Sequence, residues 1–135
     1  MISQESLINE MIEKQLPTIV LSNKLTYSDI CRISNFIDTS IFSENDCCLW
    51  KGYITNPSKR PSILFFFNKK KTSLHRLLYI NFVGPLDSNS YLRFICSNKG
   101  RCCCIYCMKK FDYIVRKIKN NNINQNINLD LSFNG

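Results

Sequence analysis

The cysteines of this chain are concentrated in two short segments. Cys47 and Cys48 are adjacent, Cys31 stands apart, and the others are Cys96, Cys102, Cys103, Cys104 and Cys107. Tetrahedral Zn²⁺ in structural sites takes four thiolate or imidazole ligands, which small domains commonly supply from two separate stretches of chain. The clustering therefore predicts a structural zinc site that joins the two segments.

The predicted ligands are Cys48, Cys96 and Cys102, with Cys107 or the only histidine, His75, as the fourth. The spacing does not settle the set, because the intervals are wider than a C-x2-C knuckle and the neighbours of Cys102 are also cysteines. The alternative is a group of unliganded thiols. We interpret Cys31, which lies outside both clusters, as a free buried cysteine.

Metal ligation is favoured over disulfides by the expected compartment. The first fourteen residues are acidic and amphipathic, and they lack the basic start and apolar run of a secretory signal. The sequence also contains no apolar run of about 18 residues, which a membrane helix would need. We therefore expect an intracellular protein without a membrane partner, in a setting that keeps thiols reduced.

Positive charge is concentrated in the same part of the chain. Residues 48–119 hold fifteen of the eighteen Lys and Arg residues, against Asp87 and Asp112. Such a segment is suited to a polyanion, and we expect double-stranded DNA. The predicted contact residues are Lys69, Lys70, Lys71, Arg76, Arg101, Lys109, Lys110 and Arg116. A run of lysines is also common in solvated turns, so residues 69–71 have both interpretations.

The elements that must position these residues indicate a small α+β fold. Apolar spacing predicts helices over residues 3–14 and from a Thr26 cap onward, and another that begins near His75. Residues 48–54 and 63–67 predict a β-hairpin with a basic tip, and residues 91–95 a strand. After Cys107, the spacing of Phe111, Ile114, Val115 and Ile118 predicts a C-terminal helix.

These elements suggest three regions. Residues 1–46 form an N-terminal helical extension, residues 47–119 a zinc module, and residues 120–135 an Asn-rich flexible tail. At 135 residues with 44% hydrophobic residues, the chain is long enough for one packed core. The sequence leaves the oligomeric state open.

The order of several residues resembles the HNH endonucleases of phages and large DNA viruses. The resemblance lies in Cys48-Leu-Trp-x-Gly, Leu74-His-Arg-Leu-Leu-Tyr, Phe82-Val-Gly-Pro, Cys96-x-Asn with Cys102, and Cys107-Met. It implies a zinc-stabilised ββα-metal core over residues 48–111, and DNA phosphodiester hydrolysis with Mg²⁺ or Mn²⁺. His75 would be the candidate general base, and Arg76 with the lysines would hold phosphates.

The chain departs from the family pattern at three positions that carry the reaction. Phe94 stands where the family has its histidine base, Cys104 where it has an asparagine, and Cys107 where it has a metal-binding histidine. Phenylalanine cannot accept a proton, and thiolate is a poor ligand for Mg²⁺. The alternatives are an active HNH-like nuclease, an inactive nucleic-acid-binding or protein-interaction module of the same fold, and a purely structural zinc protein.

Overall fold

The computed structural model describes residues 2–114 of the chain. This part contains three α-helices and two small antiparallel sheets. In chain order they are α1 (Gln4–Lys14), α2 (Tyr27–Ser34), β1 (Leu64–Phe67), β2 (Lys70–Ser73), α3 (Leu74–Phe82), β3 (Ser90–Phe94) and β4 (Met108–Asp112). Short 3-10 turns lie at Leu21–Asn23 and Ile105–Cys107. The small α+β fold predicted from the sequence is confirmed.

The two N-terminal helices follow the sequence signals closely. Ser3 caps α1 by accepting a hydrogen bond from the Ser6 backbone N–H, and α1 buries Leu7 and Met11. Helix α2 begins with a capping box, in which Thr26 accepts from the Asp29 N–H and Asp29 accepts from the Thr26 N–H. Each cap satisfies N–H groups that a helix terminus would otherwise leave without a partner.

Asn81 joins α3 to the N-terminal segment. Its side chain is fully buried, and its Oδ1 accepts hydrogen bonds from the Leu25 N–H and the Gln15 amide, at 2.9 and 2.8 Å. Its Nδ2 donates to the carbonyls of Asn23 and Leu77. The apolar core is also continuous, running from Leu7 of α1 to Met108 of β4.

The hairpin that carries the lysines is built differently from the predicted one. Strand β1 pairs with β2, which contains Lys70 and Lys71. The prediction that residues 48–54 pair with residues 63–67 is therefore wrong. Asn68 and Lys69 both have positive φ, 52° and 68°, which permits a two-residue turn that brings the chain straight back. Residues 48–54 instead contribute one isolated bridge, between Leu49 and Cys102.

The predicted C-terminal helix is wrong where the structure describes it. Residues 108–112 form β4, which pairs antiparallel with β3 from Ser90↔Asp112 to Phe94↔Met108. Cross-strand packing, including Tyr91 against Phe111, outweighs the helical spacing of the local sequence. The rest of the predicted helix and the Asn-rich tail lie outside the described residues. Among the described helices, none is long and apolar enough to cross a membrane.

Candidate metal centre and basic surface

Four cysteine side chains converge at the loop that joins β3 to β4. The Sγ atoms of Cys47, Cys96, Cys102 and Cys107 all lie within 4.8 Å of one another. Tetrahedral zinc with Zn–S bonds of about 2.3 Å would place its sulfurs about 3.8 Å apart. The four thiols thus need only a small contraction to hold one metal ion, and their number and chemistry fit a closed structural zinc site.

The loop between β3 and β4 supplies three of these thiols. Gly100 lies in this loop with φ +76°, and a Cβ there would stand 2.0 Å from the Pro61 carbonyl oxygen. Only glycine adopts this conformation without strain at such a close approach. The fourth thiol comes from the segment that crosses the loop, where the Cys103 N–H donates to the Cys48 carbonyl at 2.6 Å.

Hydrogen bonds to sulfur surround the cluster. The backbone N–H groups of Cys48 and Cys104 each donate to Cys102 Sγ at 3.4 Å. The Asn98 side chain hydrogen-bonds with Cys47 and, as the largest cause, holds the pKa of that thiol below its ordinary value. Donors aimed at sulfur stabilise the thiolate form, which is the form that binds metal.

For two other thiols of the cluster, burial has the opposite effect and raises the pKa. It raises the pKa of Cys102 to about 12 and raises that of Cys107 well above its ordinary value, with neighbouring thiols adding to the effect on Cys107. Without a cation, several thiolates in one buried place would repel one another and lack solvation. A divalent ion would supply the positive charge that lets these thiols ionise, so the cluster could hold a metal ion.

Cys47, rather than the predicted Cys48, belongs to the cluster, and that ligand prediction is corrected. Adjacent residues in an extended segment point to opposite sides. The Cys48 thiol is buried and donates to the Thr39 carbonyl at 3.2 Å, and burial raises its pKa to about 11. Cys104 is likewise directed away, donating to the Ser43 carbonyl at 2.9 Å. Cys96, Cys102 and Cys107 lie together as predicted.

His75 is not part of the thiol cluster but contacts its backbone. The ring is 4% exposed, and its Nε2–H donates to the Cys102 carbonyl at 2.9 Å, which leaves the lone pair on Nδ1. Burial lowers the pKa of His75 to about 4, despite this hydrogen bond. The ring packs edge-on against Phe94, with centroids 4.7 Å apart, and borders a cleft also lined by Arg76 and Tyr91.

Two of the predicted phosphate-binding arginines make backbone contacts. Arg76 donates to the carbonyls of Ser90 and Asp87, at 2.8 and 3.0 Å, and so ties α3 to the turn before β3. Arg101 donates to the Pro57 carbonyl. These hydrogen bonds give both side chains a role in the fold and leave part of each guanidinium for other partners.

The predicted lysines are exposed. Lys69, Lys70 and Lys71 lie at the tip and on the second strand of the β1–β2 hairpin, and Lys109 and Lys110 lie on β4. The two groups are therefore carried by different sheets. Arg116 lies outside the described residues. Cys31, predicted to be buried, is partly exposed and free.

Comparison with known proteins identifies a viral relative. The chain is 47% identical over 114 residues to an uncharacterized protein, R328, of Acanthamoeba polyphaga mimivirus. The match covers 82% of this chain but 33% of the relative, so the chain spans about a third of that protein's length. No family model and no solved structure matches the chain.

Proposed function

We propose that this chain is a zinc-stabilised nucleic-acid-binding module, derived from an HNH-endonuclease-like fold and lacking the nuclease reaction. The observation that carries the proposal is the position of Cys107. Where the resemblance implies a ligand of the catalytic divalent ion, this side chain is a member of the four-thiol cluster with Cys47, Cys96 and Cys102.

The loss of catalysis is supported by three further observations. Phe94 packs on His75 and offers no base, and Cys104 is buried with its thiol on the Ser43 carbonyl. Strand β4 follows Cys107 where the resemblance implies a helix. Hydrolysis by such a fold needs both a base for water and a hard cation near the phosphate. Among residues 2–114, the side chains grouped to hold a metal are these four thiols, and thiolate is a poor ligand for a hard cation.

Binding to nucleic acid is supported by the distribution of charge. The exposed lysines of the β1–β2 hairpin and of β4 belong to the segment that holds most of the positive charge of the chain. Zinc would fix the loop between β3 and β4 and so hold in place the strand that carries Lys109 and Lys110. DNA with its regular phosphate charge is the ligand that we expect, and contacts to phosphates would give it affinity without strong sequence preference.

Binding is tested by fluorescence anisotropy with a labelled DNA at several salt concentrations. We expect affinity to fall steeply with salt, and the triple variant K69Q/K70Q/K71Q to reduce the slope of log affinity against log salt by about 2–3. Lys14→Gln, an exposed change in the last turn of α1, is the control and should leave the slope unchanged. Affinity that does not depend on salt, or equal effects of the two variants, would contradict the proposal.

Catalysis is tested by a plasmid-nicking assay with Mg²⁺ or Mn²⁺. We expect no cleavage above a chelated control.

A second candidate function is hydrolysis with His75 as base, which is favoured by its neutral imidazole at the edge of the cleft. Robust nicking that is lost in His75→Gln, with zinc content retained, would support that candidate and overturn the inactive one. Nicking that survives this change would place the active site elsewhere.

A further inference from the structure

The outer face of the β3–β4 sheet carries aromatic and basic side chains in alternation. Tyr91 and Phe111 are directly opposite each other in the register, and so are Arg93 and Lys109. Because side chains alternate between the two faces of a strand, these four share one face, and Tyr113 continues it. The other face of the sheet carries Phe94 and Met108, which pack against the core.

The rings on this face are arranged as a platform. Tyr91 lies at 5.8 Å and 26° from Phe111, and at 4.7 Å and 36° from Tyr113, between ring centroids. The Arg93 guanidinium lies over Phe111 at 5.9 Å. Phe111 is 42% exposed and Tyr113 59% exposed within the described part of the chain, so their rings are not filling the core.

The charges on this face indicate an anionic partner. Arg93 and Lys109 are exposed and directly opposite, and like charges at such positions destabilise a strand pair. An anion bound between them would reverse that cost. The nearest acidic residue of the strands, Asp112, is on the other face and accepts a hydrogen bond from Ser90 Oγ at 3.0 Å. Within the described strands, the aromatic face therefore carries positive charge alone.

We propose that this face binds a single-stranded nucleic acid segment, with unpaired bases stacked on Tyr91, Phe111 and Tyr113 and phosphates held by Arg93 and Lys109. The inference rests on the proposed function and deepens it, because it replaces the expected duplex by an unpaired strand as the preferred ligand. Aromatic rings beside basic groups bind single strands in this way, since every base offers a face for stacking, whereas bases inside a duplex are already stacked.

The test compares three labelled probes with the same number of phosphates per strand: a 12-nucleotide single-stranded DNA, its duplex, and a strand of abasic sites. The variant is Phe111→Leu with Tyr113→Leu, which keeps apolar side chains but removes the rings. Its matched control is Tyr53→Leu, an 82% exposed tyrosine away from this sheet. Zinc content and circular dichroism establish that each variant is folded.

The native protein should prefer the single strand to both other probes. The double variant should weaken binding to the single strand by about tenfold and leave the abasic strand unchanged, because one stacked base contributes roughly a factor of ten. Arg93→Gln should weaken binding to the single strand and the abasic strand equally. Tyr53→Leu should change none of the three affinities.

Several results would overturn the inference. Equal affinity of the native protein for single strand and duplex would contradict the stacking of bases on these rings. An equal loss of affinity for the base-bearing and abasic strands in the double variant would contradict it too. Either result would leave the proposed function intact. A change in sedimentation of the double variant without any change in DNA affinity would show that the face binds a protein, such as a second copy of this chain. Failure of the native protein to bind any probe would remove the proposed function as well.

Discussion

The N-terminal helices and the thiol region hold their backbones in place by different means. Helices α1 and α2 satisfy their own hydrogen bonds, and each buries an apolar stripe, with Leu7 and Met11 on α1 and Ile30 and Ile33 on α2. The segment from Ile95 to Cys107, between β3 and β4, is a long loop with one short 3-10 turn. Its side chains at the centre are cysteines rather than large hydrophobic residues.

This difference indicates where a bound metal would contribute most to stability. A loop with little regular structure loses much chain entropy on folding, and small thiols bury too little surface to offset it. Cys48, Cys102 and Cys103 are nonetheless 0% exposed. A bound ion would supply the missing free energy by joining four points of the loop and its crossing segment. The helical region, by contrast, should fold on apolar packing and caps.

The largest expected effect separates two adjacent cysteines. Cys47→Ser should abolish stable zinc binding and unfold the thiol region, because a structural zinc site contributes about 10–16 kcal/mol and needs its four ligands. Cys48→Ser should keep one zinc per chain, since the Cys48 thiol bonds to the Thr39 carbonyl and a hydroxyl can donate there too. Atomic emission and a chelator-competition titration measure both quantities.

The same two variants can contradict the assignment of Cys47 as the zinc ligand. Zinc that is lost in Cys48→Ser and kept in Cys47→Ser would restore the ligand set predicted from the sequence. A native protein that contains no zinc after purification under reducing conditions, and whose near-ultraviolet circular dichroism is unchanged by EDTA, would remove the metal altogether.

A smaller effect is expected where the helical region meets α3. Asn81→Ala should lower the free energy of unfolding by about 3 kcal/mol, because it leaves the buried Leu25 N–H without a partner and removes the hydrogen bonds to the Asn23 carbonyl and the Gln15 amide. Zinc stoichiometry should not change. Urea unfolding of the zinc-loaded protein measures the loss, with the exposed Asn45→Ala as control. Zinc loss in Asn81→Ala would show that the two regions depend on each other.

The helical region and the thiol region also differ in how well the sequence predicts them. Helix α2 has its cap, its acidic first turn and its apolar spacing within consecutive residues, so local rules locate it correctly. The thiol region depends on contacts between distant segments, such as the bridge between Leu49 and Cys102. Local patterns contain little information about such contacts.

The two strand errors have identifiable causes. The β1–β2 turn needs positive φ at Asn68 and Lys69, and a lysine there gives no signal for it. The helical apolar spacing begins at Phe111, but this residue belongs to β4, and the pairing with β3 decides its conformation. The sequence gives no signal for the choice between Cys47 and Cys48, because the hydrogen bond of Asn98 with Cys47 forms only in the folded loop.

The smallest effect concerns the capping box of α2, in the region that should not depend on zinc. Burial alone would raise the pKa of Asp29, but hydrogen bonds from the Thr26 N–H and hydroxyl and from Arg32 outweigh it and hold the pKa below its ordinary value of 3.8. A carboxylate with a depressed pKa stabilises the folded state above its unfolded pKa, and this contribution disappears as pH falls through the folded value.

Asp29→Asn should therefore cost about 1 kcal/mol at pH 7, as the loss of a helix cap does, and the difference from the native protein should shrink below about pH 4. Urea unfolding at both pH values measures it, and because zinc release by acid is common to both proteins, it cancels in the comparison. A difference that stays constant with pH would show that the ionised carboxylate is not what stabilises this helix.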